Sequence, residues 1–350
     1  MNFYEHYYSL FVYRENNRIM KRKNIFIATI ISIFMLPLLS NAQEEIIIIE
    51  TFRKNAPERF DAPKTPSFTL VSKSGKYAMG IGGYVKGTVS MDFNGAINNA
   101  AYFTTSAIPV NPLPGNDKLL QYNVNQSNLS FNFVSLADKK SKFGAYINMN
   151  FSGNNYTPYI EDAYITYGGL LMGRTTSIFT DAAAIPPTID SEGPNGLTYK
   201  TNTVINYRSS WGERKRFSTG VGLEMPSTDF TVSDEQSVTN QFIPDFPSYT
   251  QYAWGKNNSS HIRLSSIIRN VNYRNNVQDK NNIISTYACQ LSGLINVKDK
   301  LIFYYQLAYG TGITTYIQDV SGLKLDFMPR YVNDHNDKDA GKLEHVKSMA

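Results

Sequence analysis

The sequence predicts an all-β protein, specifically a transmembrane antiparallel β-barrel, and three observations favour this fold class. From Lys76 onward, apolar and polar residues alternate with a period of two over about eleven segments. Short turns and long loops follow these segments in alternation, as in barrels whose two ends face different compartments. The composition is 13% aromatic and only 18% charged, and the polar face is rich in Gly, Ser, Asn, Thr and Tyr.

One hairpin illustrates how the strands are assigned. Residues 159–167 alternate in polarity, and Gly168-Gly169 fits a two-residue turn because glycine readily adopts a positive φ. Residues 170–178 form the return strand. The loop 181–196 that follows has too much Ala, Pro and Gly for a sheet and too much apolar content for a solvated loop, so we expect it to pack inside the barrel.

The remaining connections show the same asymmetry. Tight turns are predicted near 137–142, 168–169, 209–215, 256–259 and 298–300, and long loops at 94–120, 180–197, 226–248, 270–281 and 311–324. Aromatic residues near segment ends are typical of interfacial girdles; they are Tyr77, Phe93, Phe143, Phe151, Tyr159, Tyr167 and Phe217. A soluble β-sandwich also alternates and is the alternative, but its solvent face would carry more Lys and Glu.

The first 75 residues precede the alternating region. Residues 20–42 have a basic start, an apolar stretch and small residues before a cleavage site between Ala42 and Gln43, which predicts a secretory signal peptide. Residues 1–19 lack periodicity and are interpreted as an over-extended start. Residues 43–75 are rich in proline and charge, so we expect a periplasmic linker that forms a disordered leader before the first strand, with a tether or short oligomerisation segment as the alternative.

Four motifs carry a resemblance to a known family. They are Gly83-Tyr84-Val85-Lys86, the hairpin from Ala163 to Phe179, the loop from Asp190 to Gly196, and Gly310-Thr311-Gly312-Ile313 with Tyr316-Ile317. In these features residues 76–330 resemble the DcaP-like outer-membrane porins. The resemblance implies a homotrimer of sixteen-stranded barrels whose third long loop folds inward as a constriction. It also implies passive uptake of small, often anionic, solutes across the outer membrane of a Gram-negative bacterium.

The end of the chain departs from this family. Residues 331–350 are charged and lack the alternating, aromatic-terminated strand with which such barrels usually close. The length after Lys76 accommodates about eleven to thirteen strands. An open barrel in lipid would leave unpaired backbone groups at its edges. We therefore expect a truncated gene product with an incomplete barrel over residues 76–330; a genuine smaller barrel is the alternative.

Several side chains on the polar faces and in the inward loop are candidates for lining the pore or its constriction. They are Lys86, Asp162, Tyr164, Arg174, Asp181, Asp190, Glu192, Lys200, Arg263 and Arg269. Basic residues on the wall opposite acidic residues of the loop would create a transverse field, and the basic side chains favour anions. Each charge could instead pair with a neighbour and hold the loop. Arg174 stands where the family often has glutamine.

No motif points to catalysis or to a cofactor. The four histidines lack metal-ligand spacing, and no acid is placed to orient His261 beside a serine. The net charge of +5 arises mainly in the first 42 residues, so nucleic acid is not an expected partner. The expected partners are outer-membrane lipid, further copies of the chain and small hydrophilic solutes. A diffusion porin is the leading hypothesis, and a non-conducting surface barrel whose long loops bind glycan or host ligands is the second.

Overall fold

The structure is a computed structural model that describes residues 47–52, 66–97, 104–111, 113–135, 143–298, 301–332 and 337–350. Nineteen strands lie in these ranges: β1 Ile47–Phe52, β2 Pro66–Val71, β3 Tyr77–Tyr84, β4 Thr88–Phe93, β5 Lys118–Asn123, β6 Asn128–Ser135, β7 Phe143–Asn150, β8 Tyr159–Tyr167, β9 Leu170–Thr176, β10 Thr201–Trp211, β11 Phe217–Glu224, β12 Gln236–Val238, β13 Phe246–Trp254, β14 Ser260–Asn275, β15 Lys280–Lys298, β16 Leu301–Thr311, β17 Phe327–Pro329, β18 Leu343–His345 and β19 Lys347–Met349.

The helical elements are single 3-10 turns, at Thr105–Ala107, Asn154–Tyr156, Ala182–Ala184, Glu213–Lys215, Lys256–Asn258, Thr314–Tyr316 and Gln318–Val320. No helix in the described ranges has the length and apolar character needed to cross a membrane. The predicted signal peptide, its cleavage site at Ala42 and Gln43, and the predicted over-extended start lie outside the described residues.

The strands form one large antiparallel sheet in which most strands pair with their neighbours in the chain. The order is β1-β2-β3-β6-β7-β8-β9-β10-β11-β13-β14-β15-β16-β19, with β12 beside β14. Strands β4 and β5 pair with each other and continue the β3–β6 hairpin, and β17 pairs with β18. The predicted all-β class is confirmed. The main path holds fourteen strands, and the twelve of them that follow Lys76 agree with the predicted eleven to thirteen. In the described residues β1 and β19 share no ladder.

Regular structure extends beyond the predicted boundaries at both ends of the sheet. Strand β2 lies inside the predicted linker and pairs with β3. Its proline, Pro66, stands at the first strand position, where a missing N–H is tolerated. In the predicted charged tail, β18 pairs with β17, and β19 pairs with residues 309–311 of β16. The sequence suggested at most one further strand after residue 310, near residues 323–327, and the structure has three, β17, β18 and β19. These short strands satisfy backbone groups that an unpaired edge would leave exposed.

The predicted long loop at 270–281 is also wrong. Strands β14 and β15 pair continuously from His261 with Leu294 to Asn275 with Lys280, which leaves a turn of only four residues, 276–279. Along this extension Val271 and Tyr273 are buried on the inner face. The alternation therefore continues through a stretch whose Asn and Arg content indicated a loop.

The sheet has a polar inner face and an apolar outer face. On β10, Asn202, Val204 and Asn206 are buried, while Thr203 and Ile205 are exposed. Large apolar side chains cover the outer face: Ile165, Tyr167, Leu170, Met172, Tyr207, Val221, Leu223, Ile262, Leu264, Tyr287, Leu291, Leu307 and Tyr309. A continuous apolar surface of this kind is unfavourable in water and matches the band that lipid covers on a transmembrane barrel.

The hydrophobic core lies inside the curve of the sheet and is built by chain segments that fold inward. One cluster comprises Phe179, Ile267, Ala288, Ile313 and Tyr316. A second comprises Phe230, Val271, Tyr273, Ile284, Phe327 and Leu343. Both clusters join residues of β14 and β15 to the connections after β9, β11 or β16. These inward segments position the side chains considered next.

Candidate functional site

The connection between β9 and β10, residues 177–200, folds into the barrel and is called the inner loop. Ile178 and Phe179 are fully buried. The ring of Phe179 packs edge-to-face on Tyr316, with centroids 5.6 Å apart. This loop is the third long connection of the barrel, and its inward course agrees with the prediction.

Asp181 anchors the inner loop to the wall of the barrel. Its Oδ2 accepts hydrogen bonds of 2.8 Å from Nε2 of His261 on β14 and from Oγ of Ser292 on β15. Burial by itself would raise the pKa of Asp181, but the hydrogen bond and charge of His261 and the charge of Arg263 hold that pKa below its ordinary value. An acid does therefore orient His261, contrary to expectation. Ser292 donates to Asp181 and not to His261, so the three groups do not form a proton relay.

Arg263, two residues from His261, holds the same loop. Its guanidinium lies 3.8 Å from the centroid of the Tyr249 ring and donates to the backbone carbonyl of Ile178. The side chain is buried. Asp181 and Arg263, both predicted to line the pore, therefore act as anchors of the inner loop, which is the alternative role considered from the sequence.

The connection after β16, residues 312–326, also folds inward and is called the second inner segment. It was predicted to be an outer loop. Thr198 and Ile317 form an antiparallel bridge, and the N–H of Tyr199 donates to the carbonyl of Tyr316 at 2.9 Å, so the two inward segments are joined through their backbones. The sequence signal for this course is the apolar and aromatic content of a stretch that a solvated loop would fill with polar residues.

Arg269 on β14 is the centre of a buried charge cluster where the second inner segment meets the wall. Its Nε donates to Asp245 at 3.0 Å and its Nη1 to Asp326 at 2.7 Å, and all three side chains are fully buried. The guanidinium also donates to the carbonyl of Gly312 and, at 3.0 Å, to Oγ of Ser227. Arg269 faces inward as predicted, but it is covered and cannot touch a solute. Its contacts fasten the second inner segment instead.

Tyr316 extends this cluster toward the inner loop. Its hydroxyl lies 3.1 Å from Oε2 of Glu224 and 3.1 Å from Oδ2 of Asp245. Burial, with the negative charges of Glu224 and Asp245, raises the pKa of Tyr316 well above its ordinary value. The phenol therefore stays protonated, and its O–H is shared as a hydrogen-bond donor between the two carboxylates.

Lys200, the last residue of the inner loop, closes the cluster. Its Nζ donates to Oγ of Ser227 at 3.2 Å and to Oγ1 of Thr315 at 3.1 Å, and lies 4.3 Å from the centroid of the Tyr316 ring. Burial and, secondly, the charge of Arg269 lower the pKa of Lys200 to about 8. Lys200 therefore loses its positive charge within the pH range of ordinary buffers.

The tip of the inner loop carries three further predicted residues. Nζ of Lys86 donates to the carbonyl of Ile189 at 3.0 Å, which links the β3 hairpin to the loop. Oδ1 of Asp190 accepts the backbone N–H of Glu192 at 3.2 Å and fixes a local turn. Glu192 is buried, and burial raises its pKa; Nε2 of Gln318 lies 3.3 Å from its Oε2.

Asp162 and Tyr164 lie on the inner face of β8, as predicted. Tyr164 packs against Tyr146 with ring centroids 5.3 Å apart. A register shift beside Asn148 turns Glu161 to the same side as Asp162, and Nδ2 of Asn148 donates to both carboxylates at 3.0 and 3.2 Å. Strict alternation along β8 would point these two acids to opposite faces, and the bulge that interrupts it brings them together.

Arg174 does not line the interior. It pairs with Ala163 and shares the outer face with the exposed Met172. Its Nη2 donates to Oη of Tyr159 at 2.8 Å, and its Nε donates to the carbonyl of Ile160 at 3.1 Å. The predicted pore position is therefore wrong. A long basic side chain near a strand end reaches polar partners at the edge of the apolar band, so an outward position is tolerated.

Arg208 is a functional candidate that the predicted set lacks. It lies two residues after the buried Asn206 on β10, which puts it on the inner face, and it is exposed. It is near enough to Arg263 for the two charges to repel. Extending the alternation of β10 by one more step identifies it. Within the described ranges, no group of three or more His, Cys, Asp or Glu could hold a metal ion.

No protein-family model and no curated protein matches the chain. Among solved structures, the chain is similar to the outer membrane channel DcaP of Acinetobacter baumannii, with a TM-score of 0.63 and 17% identity over 80% of this chain and 73% of that chain. The chain shares the fold of DcaP. The predicted transmembrane barrel and the resemblance to DcaP-like porins are thereby confirmed at the level of the fold.

A second similar structure is the loop L8 deletion mutant of OmpT, an outer membrane protein of Vibrio cholerae. Its TM-score is 0.35, with 11% identity over 67% of this chain and 81% of that chain. This similarity is too low to carry an argument about the site. The barrel fold of this chain is the fold of DcaP, an outer membrane channel.

Proposed function

We propose that this protein is an outer-membrane porin, assembled as a homotrimer, through which small hydrophilic solutes diffuse passively. The observation that carries the proposal is the inner loop, residues 177–200, anchored inside a wall whose outer face is apolar. A loop held across a lumen by side chains of the wall narrows the path, and pore diameter and lining charge set what a channel admits. The fold shared with the channel DcaP supports this function.

A mild preference for anions is part of the proposal. Arg208 is exposed on the inner face, and Lys86 is half-buried beside the inner loop. The interior acids Asp181 and Asp326, by contrast, are buried against His261 and Arg269. Basic groups open to water, combined with neutralised acids, raise the local concentration of anions in a confined lumen.

Current through planar bilayers tests both parts of the proposal. Purified full-length protein is expected to give stepwise increases in conductance, and a salt gradient is expected to give a reversal potential of the sign for anion preference. Arg208→Gln should shift that potential toward cations. The matched control Arg274→Gln removes an exposed arginine that is paired with Asp279 at the other end of the barrel, and should change nothing. Folded protein that inserts and carries no current would contradict the porin function.

The second inner segment favours one competing function. By placing Ile313 and Tyr316 inside the barrel beside the inner loop, it fills space that a wide pore would leave open. A filled interior of this kind is what we expect of a non-conducting surface barrel whose outer loops bind glycan. Vesicle flotation separates insertion from conduction: inserted protein that is silent in bilayers but retained on a glycan array would favour this alternative.

A further inference from the structure

The end of the barrel that carries the short turns has a pocket that the proposed pore does not use. Its volume is about 480 Å³, and it is lined by Glu213, Arg216, Phe217 and Tyr252. The first two residues belong to the turn between β10 and β11, and the other two to the outer edges of β11 and β13. The pocket therefore combines one acidic and one basic side chain with two aromatic rings.

The Nε of Arg216 is covered by protein atoms and has no hydrogen-bond acceptor among the residues that the structure describes. Glu213 is only loosely paired, because Nε of Arg214 lies 3.8 Å away and both side chains are largely exposed. A covered donor without an acceptor costs free energy. Because Arg216 also lines the pocket, an anionic oxygen bound there would be stabilised by the charge of its guanidinium.

The aromatic residues beside the pocket indicate its depth relative to a membrane. Trp211, Phe217, Tyr252 and Trp254 form one row, with successive ring centroids 4.6, 4.9 and 6.1 Å apart. Rows of Trp and Tyr lie at the level of lipid headgroups in membrane proteins. In outer-membrane barrels the short turns face the periplasm. The pocket is thus placed at the headgroups of the periplasmic leaflet.

A neighbouring turn with the same backbone provides an internal comparison. The turns 212–216 and 255–259 both start with a glycine at positive φ and continue through two left-handed residues. The left-handed φ values are 53° at Arg214, 54° at Lys215, 56° at Asn257 and 57° at Asn258. Asparagine tolerates this conformation, whereas arginine and lysine adopt it only at an energetic cost. The turn beside the pocket therefore has Arg214 and Lys215 at the two left-handed positions. The turn 255–259, called the sister turn, has asparagines there, which suit the backbone.

We propose that this pocket binds the headgroup of phosphatidylethanolamine. The phosphate oxygens accept from Arg216, with Arg214 and Lys215 adding attraction, and the primary ammonium donates to Glu213. The acyl chains follow Phe217 and Tyr252 along the outer face. Phosphatidylglycerol lacks the ammonium, and the quaternary ammonium of phosphatidylcholine has no N–H to donate. The inference rests on the proposed membrane location and not on conduction.

Tryptophan fluorescence reports on this end of the barrel, because the chain has only two tryptophans and both belong to the aromatic row beside the pocket. Full-length protein is reconstituted in vesicles that contain brominated phosphatidylethanolamine, phosphatidylglycerol or phosphatidylcholine. The brominated acyl chains quench tryptophan on contact. Quenching is expected to give phosphatidylethanolamine a relative binding constant about threefold to tenfold above the other two lipids.

Three variants assign the preference to named groups. Arg216→Gln should abolish it, and Glu213→Gln should remove the advantage over phosphatidylglycerol. The control Lys256→Gln changes the sister turn, outside the pocket, and should have no effect. Equal quenching by all three lipids in the unaltered protein would overturn the proposal. Repeating the titration with short-chain brominated lipids in detergent micelles distinguishes a failure of lipid recognition from a failure of membrane insertion.

Discussion

Replacing Arg269 by methionine tests whether the buried charge cluster fastens the second inner segment to the wall. Methionine roughly preserves the length of the side chain but removes the charge. Asp245 and Asp326 would then remain 0% exposed without a counter-charge, and the donors to Gly312 and Ser227 would be lost. The variant therefore removes the group that links β14 to the segment 312–326.

The magnitude follows from the burial of the pair. Breaking a fully buried ion pair by removing one partner costs about 3–5 kcal/mol, because the remaining charge is left in a medium of low polarity. Strands of the sheet keep their ladders in this variant, whereas the second inner segment loses its main polar contacts. We therefore expect the segment to leave the interior while the barrel stays folded.

Chymotrypsin provides the assay, because Tyr316 is fully buried in the intact fold. In Arg269→Met, cleavage after Tyr316 is expected under conditions in which the unaltered protein is resistant, with the β-sheet signal in circular dichroism retained. The triple variant that also carries Asp245→Asn and Asp326→Asn removes every charge of the pair and should regain most of the resistance. If Arg269→Met resists cleavage as well as the unaltered protein, the cluster does not hold the segment.

Two further predictions concern single side chains. Because Lys200 loses its proton near pH 8, anion preference measured in bilayers should fall between about pH 7 and pH 9, and Lys200→Met should remove this dependence. Deprotonation of Lys200 also makes the free energy of unfolding rise above pH 8. The unfolded lysine, with its ordinary pKa of 10.5, then still binds a proton that the folded one has lost. Urea midpoints in detergent across this pH range measure the rise. Lys215→Asn relieves a left-handed backbone position and should raise the free energy of unfolding by about 1 kcal/mol. The urea midpoint would rise with it, and an unchanged or lower midpoint would argue against strain at this turn.

The sequence predicts those features that depend on near neighbours in the chain. Period-two alternation assigns β8 and β9, and the Gly168-Gly169 turn marks their connection. The inner loop was recognisable because its composition suits neither a sheet nor a solvated loop. These signals are local, so one sequence suffices to read them.

The details of the site depend on contacts between distant residues. The partner of Asp181 is His261, 80 positions away, and no local pattern indicates that pair. The bulge at Glu161 depends on how β8 aligns with β7, and a register shift changes which face a side chain occupies. Arg174 was misplaced for a related reason: a charge was assumed to prefer the interior, although Tyr159 offers it a partner outside.

Cys289 permits the most direct test of the central claim, that the outer face of this sheet lies in lipid. It is the single cysteine of the chain, it is exposed, and it lies between Tyr287 and Leu291 on the outer face of β15. A nitroxide attached to Cys289 in reconstituted vesicles can be probed by collision with oxygen, which enters lipid, and with a charged nickel chelate, which stays in water. The variant Arg208→Cys in a Cys289→Ser background places the same label on the inner face as a control. Strong oxygen and weak nickel contact at Cys289, with the reverse at position 208, is the predicted result; strong nickel contact at Cys289 would contradict a membrane-spanning barrel.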